Sequence, residues 1–120
     1  MSGLLAAGLG SAGRSESTAR PDPSELNSQA CLEELDLSRL DQALQRCNAV
    51  VQAHRSDPAP LTDRSLLYIL LGRIDQACRD VDQAITLMNS KGSTVDPMVR
   101  HELTVRQASC RQRVSNAGKG

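Results

Sequence analysis

The chain has 120 residues, of which 39% are hydrophobic, and 14 basic residues balance 14 acidic residues. This length suits one domain with one modest core. Because the net charge is zero, no overall electrostatic field attracts the protein to nucleic acid or to membranes. With Tyr68 as its single aromatic residue, the chain lacks stacking surfaces for single-stranded nucleic acid, and its aliphatic composition favours packed helices over a β-sandwich.

The N-terminal segment, residues 1–23, is predicted to form a disordered arm. Met1–Ser11 is mildly apolar, but no positive charge precedes Leu4 and Leu5, as one does in a secretory signal. N-myristoylation requires glycine directly after the initiator Met, where Ser2 stands. No apolar run in the chain approaches the roughly 18 residues that span a bilayer.

Two helices are predicted after the arm. One runs from about Glu25 to Leu37, and the next runs from about Arg39 to His54. Pro58 follows closely, and proline is not tolerated in a helix interior, so the second helix must end before it. The stretch from residue 21 to residue 42 holds six acidic residues and one basic residue, which we interpret as a solvated face.

A second pair of helices is predicted after Pro58. The first of them is apolar nearly all round, as expected for a helix packed on more than one side, and Gly72 ends it. The second starts near Ile74, and its apolar residues recur at i, i+3, i+4 and i+7. A basic last turn followed by glycine, Lys91-Gly92, ends it. Asp80 is interpreted as a solvated charge on this helix.

A fifth helix is predicted from Asp96-Pro97 to about Val114. Its start combines a capping residue with proline at the first helical position. Residues 97–120 hold five basic residues against Glu102 alone, again interpreted as a solvated face. The last residues, 115–120, are predicted to be a flexible polar tail.

An internal repeat relates the two pairs of helices. The segment Leu37–Ala43 recurs as Leu71–Ala77, an offset of 34 residues. Flanking apolar positions match at the same offset, as Leu32 does with Leu66. These matches keep volume and polarity rather than identity, which is what repeated packing requires.

The pattern resembles the tetratricopeptide repeat, whose unit is two antiparallel helices in 34 residues. The first copy departs from the family pattern, since Glu34 replaces the aromatic residue and Val50 replaces the second alanine. The resemblance implies an all-α fold in which antiparallel helical hairpins stack as a short α-solenoid. The second copy matches the family's small, aromatic, turn and core positions well at Ser65, Tyr68, Leu71-Gly72-Arg73, Ala77, Val81 and Ala84.

The resemblance also implies a domain organisation. The helical domain covers residues 24–114, and it contains two repeats and a capping helix between the arm and the tail. About three repeats are usually needed for stability. The chain is therefore expected to be a fragment of a longer array, or to be stabilised by a partner protein or by a second copy of itself. The segments are the arm 1–23, repeats at about 24–57 and 58–92, the capping helix 96–114 and the tail 115–120.

An apolar concave groove is implied by the same resemblance, because the first helix of each hairpin lines the inner surface of a solenoid. One subgroup of the family holds the carboxylates of chaperone tails with a clamp of Lys, Asn and Arg. The clamp positions fall here on Ser28, Leu32, Asp63, Ser93 and Pro97, so no such tail is expected. The residues expected to bind a partner are Leu32, Leu35, Thr62, Leu66, Ile69, Leu70, Arg100 and Leu103.

The implied function is that of a non-catalytic scaffold that binds a peptide or helix of another protein in this groove. Other uses stay open, because the N-terminal arm could cover the groove, a second copy could pair with it as a homodimer, or its leucines could be core. The alternative function is a self-associating structural bundle. Nucleic acid and membranes are not expected partners, since the chain is neutral and lacks stacking aromatics.

No catalytic, cofactor or metal site is expected. His54 and His101 have no Cys, Asp or Glu at a metal-ligand spacing such as i+4, and no glycine-rich phosphate loop follows a strand. The cysteines form no CxxC pattern and are interpreted as small buried apolar side chains in a reducing compartment, so a cytoplasmic location is expected. The four cysteines are Cys31, Cys47, Cys78 and Cys110.

Overall fold

A computed structural model describes residues 27–119 of the chain, without the side chains of residues 93 and 114–119. The described residues contain helices and turns and no strand, which confirms the all-α prediction. The predicted arm, residues 1–23, lies outside the described range. Within residues 27–119, the α-helices are α1 (Leu40–Ala53), α2 (Pro58–Leu70), α3 (Ile74–Lys91) and α4 (Pro97–Lys119).

The segment before α1 is irregular where the sequence predicted a helix from Glu25 to Leu37. Residues 27–37 contain no α-helix, and short 3-10 turns form at Ala30–Leu32 and Leu37–Arg39. Glu34 has a φ of 51°, a left-handed conformation that interrupts a right-handed helix. The side chain of Asp36 then accepts a hydrogen bond from the Ser38 amide at 2.9 Å and starts the second turn.

The residues at which α1, α2 and α3 begin or end confirm the predicted helix boundaries. α1 ends at Ala53, and Asp57 caps α2 by accepting a hydrogen bond from the Ala59 amide at 2.9 Å. Gly72 has a φ of 77°, and the amides of residues 72 and 73 bond back to the carbonyls of residues 69 and 68. This paired arrangement is a Schellman motif, which requires the left-handed conformation that glycine adopts most readily. It turns the chain from α2 into α3.

Asp57→Ala is expected to lower the free energy of unfolding by about 1 kcal/mol, because the first turn of α2 loses its capping acceptor. Urea denaturation followed by circular dichroism measures the change. Asp82→Ala, on the exposed side of α3, is the matched control and is expected to change stability by less than about 0.5 kcal/mol. Equal losses in the two variants would contradict the capping role.

The core consists of two clusters that share α2. α1 packs against α2, α2 packs against α3, and α4 packs against both α3 and α2. Leu67 of α2 belongs to the cluster with α1, and Leu61 of α2 belongs to the cluster with α3 and α4. Ala77 and Ala84 are fully buried on α3, where small side chains let neighbouring helices approach closely.

One ion pair lies inside the α2–α3 hairpin, where the sequence had suggested that Asp80 is solvated. Asp80 is only 4% exposed, because the guanidinium of Arg64 donates to both of its carboxylate oxygens at 2.7 Å. A third donation from Arg64 reaches Asn48 of α1 at 3.0 Å. The hydrogen bonds to Asp80 raise the pKa of Arg64. Such fork-like pairing satisfies both oxygens of a buried carboxylate.

All four cysteines are paired in disulfide bonds, so their interpretation as free apolar side chains is wrong. Cys31 of the irregular segment joins Cys47 of α1, with Cα atoms 4.3 Å apart, and both are fully buried. Cys78 of α3 joins Cys110 of α4, with Cα atoms 5.9 Å apart, and both are half-buried. The fold brings together residues that are 16 and 32 positions apart in the sequence.

The last helix is longer than predicted. α4 begins at Pro97 as expected, and the side chain of Asp96 accepts a hydrogen bond from the Met98 amide at 2.8 Å. It continues to Lys119 through most of the segment predicted to be a flexible tail. None of the helices in the described range is long and apolar enough to cross a membrane.

Candidate functional site

Four of the eight residues predicted to line a groove lie in or against the core. Leu103 is fully buried between α4 and α3, and Thr62 is 1% exposed, with its hydroxyl donating to the Pro58 carbonyl at 2.8 Å. Leu32 and Leu35 are half-buried and pack against the cluster formed with α1. Thr62 and Leu103 therefore offer no surface to a partner.

The other four predicted residues differ in exposure. Arg100 is half-buried and donates to the Gly92 carbonyl at 2.6 Å, which closes the connection between α3 and α4. Leu66 is half-buried, while Ile69 and Leu70 at the end of α2 are 40% and 43% exposed. Ile69 is the member of the predicted set that lines an open cleft of the described structure.

That cleft lies between α3 and α4, beside the end of α2, and has a volume of about 1050 Å³. We call it the α3–α4 cleft. Its apolar lining includes Ile69 of α2, Ile74 and Val81 of α3, and Val105 of α4. Val105 is 53% exposed only two residues after the fully buried Leu103. One side of α4 thus reaches the core, while the opposite side leaves an apolar side chain open to a ligand.

The Cys78–Cys110 disulfide forms part of the wall of the α3–α4 cleft. It joins α3 to α4 covalently, so these two helices cannot separate at this point while the bond is intact. The cleft is therefore a preorganised feature rather than one that depends only on side-chain packing, and preorganisation reduces the entropic cost of binding.

Arginines dominate the mouth of the cleft. A smaller depression of about 350 Å³ adjoins it, and Arg73, Arg79 and Arg113 all line that depression with exposed side chains. None of these three arginines forms an ion pair with another described residue. Asp75 and Asp82 are the acidic residues that line the cleft. The mouth therefore offers guanidinium groups that are free to pair with carboxylates.

A polar contact fixes α4 against α2 beside the cleft. Arg106 donates to the Thr62 carbonyl at 2.8 Å and lies 3.2 Å from the carboxylate of Glu102. Asp63 faces the same place, and burial raises its pKa to about 6, with a further contribution from the negative charge of Glu102. Arg106 opposes that rise. The contact couples the attachment of α4 to the ionisation of Asp63.

The free energy of unfolding is expected to fall by about 1 kcal/mol as pH rises from below 4 to above 6. An acid whose native pKa lies above its ordinary value of 3.8 binds its proton more tightly in the folded state, so its ionisation destabilises the fold. Solvent contact at the half-buried carboxyl keeps the change below the full value of the shift. Urea denaturation at several pH values measures this fall in the free energy of unfolding. Asp63→Asn is expected to remove the fall, whereas Asp82→Asn is expected to leave it unchanged.

The described residues show no constellation typical of a metal centre. Among residues 27–119, no group of three or more His, Cys, Asp or Glu side chains is placed to hold a metal ion. His101 is exposed on α4 and His54 is half-buried at the end of α1. The described residues instead converge on a cleft with an apolar floor and a basic mouth.

The sequence contained only part of the signal for this cleft. Ile69 belonged to the predicted groove, but Val105 and the disulfide wall were not predicted, since both depend on where α4 lies against α3. No protein-family model, curated protein sequence or solved structure matches the chain.

Proposed function

We propose that this chain is a non-catalytic interaction module that receives a peptide or helix of a protein partner in the α3–α4 cleft. The observation that supports the proposal is an open cleft with exposed apolar side chains, Ile69 and Val105, held between two covalently joined helices. Exposed apolar surface rimmed by charge is typical of protein-binding sites. The cleft takes the place of the groove that the sequence predicted.

The repeat pattern supports a helix as the occupant. The tetratricopeptide-like interpretation makes α2 and α3 one hairpin and α4 the first helix of the next. The α3–α4 cleft then occupies the position in which the second helix of that next hairpin would pack. Ile74 and Cys78 of α3, four residues apart, line it and are only half-buried, so α3 keeps a partly open stripe of the kind that packs against another helix.

A site-specific photocrosslinker at position 105 tests the proposal in the full chain. It is expected to capture a defined protein segment, because Val105 lies in the cleft and is 53% exposed. The same probe at Thr104, which is exposed on α4 outside the cleft lining, is the matched control. Identical adducts at both positions, or none at 105, would count against the cleft as the binding site.

The disulfide bonds change the expected compartment. A cytoplasmic location was expected because the cysteines were interpreted as free thiols, and the pairing of all four removes that reason. Disulfides persist in oxidising compartments and are rare in reducing ones. An oxidising compartment is therefore our proposal, and alkylation of the native protein followed by mass spectrometry tests it. Four alkylated cysteines in the protein as isolated from its source would contradict it.

A further inference from the structure

A cluster of acidic residues lies at the start of α1 and in the segment before it, whereas the cleft lies between α3 and α4. Glu33, Glu34, Asp36 and Asp41 are all exposed, and Leu37 among them is 69% exposed. We call these five residues the acidic edge. Among the described residues, Asp36 is the one carboxylate of the edge that is in an ion pair, a loose one at 3.8 Å with the exposed Arg39. The edge therefore combines an open leucine with carboxylates that form no close ion pair with another described residue.

The acidic edge and the α3–α4 cleft complement each other. The cleft offers apolar side chains together with Arg79 and Arg113, and Arg73 lies in the adjoining depression. These three exposed arginines form no ion pair with another described residue, and they outnumber the carboxylates of the cleft lining, Asp75 and Asp82. The edge offers an exposed leucine surrounded by carboxylates. The chain has no net charge, so this opposition comes from segregation of charge within one molecule. Complementary potentials of this kind steer and orient association.

A disulfide bond and a hydrogen bond hold the acidic edge against α1 of its own chain. The Cys31–Cys47 disulfide joins the segment before α1 to α1, and the guanidinium of Arg46 donates to the Glu33 carbonyl. The turn Ala30–Leu32 packs against α1 and α2, whereas the cleft is formed mainly by α3 and α4. The edge therefore does not fold back into the cleft of its own chain, and a copy of it must come from another molecule.

Resting on the proposed function, we infer that the occupant of the α3–α4 cleft is the acidic edge of a second copy of this chain. Leu37 enters the apolar floor beside Val105, and the carboxylates of the edge pair with the arginines of the mouth. The two surfaces differ, so the contact is head-to-tail, and each added molecule leaves a free edge and a free cleft. Association is then open-ended rather than limited to a closed dimer.

Analytical ultracentrifugation of the oxidised full chain tests the inference. The weight-average mass is expected to rise with concentration beyond that of a dimer and to fall as salt is raised, because the pairing charges are exposed and screened. A monomer at all concentrations overturns the inference. If that monomer still captures another protein's segment at position 105, the proposed function stands and only the identity of the partner is wrong.

A charge exchange between two variants gives the sharper result. Arg79→Glu/Arg113→Glu makes the mouth acidic, and Glu33→Lys/Glu34→Lys makes the edge basic. Each variant alone is expected to associate at least about tenfold more weakly than the native chain, whereas an equimolar mixture restores association. All four positions are exposed, and circular dichroism confirms that each variant folds. A mixture that stays monomeric overturns the inference.

The apolar part of the contact has its own matched pair of variants. Leu37→Asp is expected to weaken association about tenfold, since it places another carboxylate on the apolar floor. Met98→Asp is the control, because Met98 is similarly exposed at 66% but lies outside both the edge and the cleft lining. Equal effects of the two substitutions, or no effect of Leu37→Asp, would contradict the proposed docking.

Discussion

Reduction of both disulfide bonds is expected to remove about 6–7 kcal/mol from the free energy of unfolding. The bonds close loops of 16 and 32 residues. Without these cross-links the unfolded chain gains conformational entropy, which lowers the free energy of unfolding by about 3 and about 3.7 kcal/mol. A domain of this size is usually stable by about 5–14 kcal/mol. The loss therefore amounts to between about half and all of that stability.

Urea denaturation with and without dithiothreitol measures the combined loss, and one double variant separates the contributions of the two bonds. Cys78→Ser/Cys110→Ser is expected to lose about 3–4 kcal/mol and to loosen α4 first, because Leu103 and Arg106 are then its principal anchors. This variant should retain the bond between Cys31 and Cys47 and the hairpin of α2 and α3. A midpoint equal to that of the native protein would show that the loop-closure account is wrong for α4.

Arg64→Leu is expected to lower the free energy of unfolding by about 3–5 kcal/mol. The side chain of Asp80 is only 6% exposed, and Arg64 provides both of its short hydrogen bonds between side chains. Removing one partner of a buried ion pair leaves the other charge without compensation, which costs far more than the net contribution of the pair. Thermal and urea unfolding followed by circular dichroism should both detect the loss.

The double variant Arg64→Leu/Asp80→Leu distinguishes this explanation from loss of packing. Replacing both partners removes the stranded charge, so the double variant is expected to recover most of the stability lost in Arg64→Leu. Arg79→Leu is the matched control on the surface, since Arg79 is exposed and forms no ion pair with any residue that the structure describes. If the double variant is less stable than Arg64→Leu, the uncompensated charge is not the cause.

The helices and their ends could be predicted because their signals are local. Gly72 and Pro97 mark backbone conformations that only a few residue types favour, and α3 carries its apolar residues on one stripe. The prediction of a helix over residues 27–37 was wrong because tertiary contacts, rather than helical hydrogen bonds, hold this segment in place. The disulfide to Cys47 and the left-handed Glu34 are visible only once the segment lies against α1.

Long-range pairings were beyond the reach of sequence reasoning. Nothing in the spacing of the cysteines chooses one pairing, since four cysteines allow three connectivities. The burial of Asp80 likewise depends on Arg64, sixteen residues earlier on a neighbouring helix. The cleft needs three helices to be placed before Ile69 and Val105 face the same space. The start signals at Asp96 and Pro97 could predict where α4 begins, but not which of its apolar residues stays exposed.

The scarcity of aromatic residues gives this molecule an internal spectroscopic reporter. Tyr68 is the single aromatic residue of the chain, and its ring centroid lies 5.6 Å from the guanidinium carbon of Arg64. Its fluorescence therefore arises from one place, beside the buried ion pair of the α2–α3 hairpin. A change in that signal reports on the hairpin alone, so unfolding of α4 can be followed separately from unfolding of the rest without any attached label.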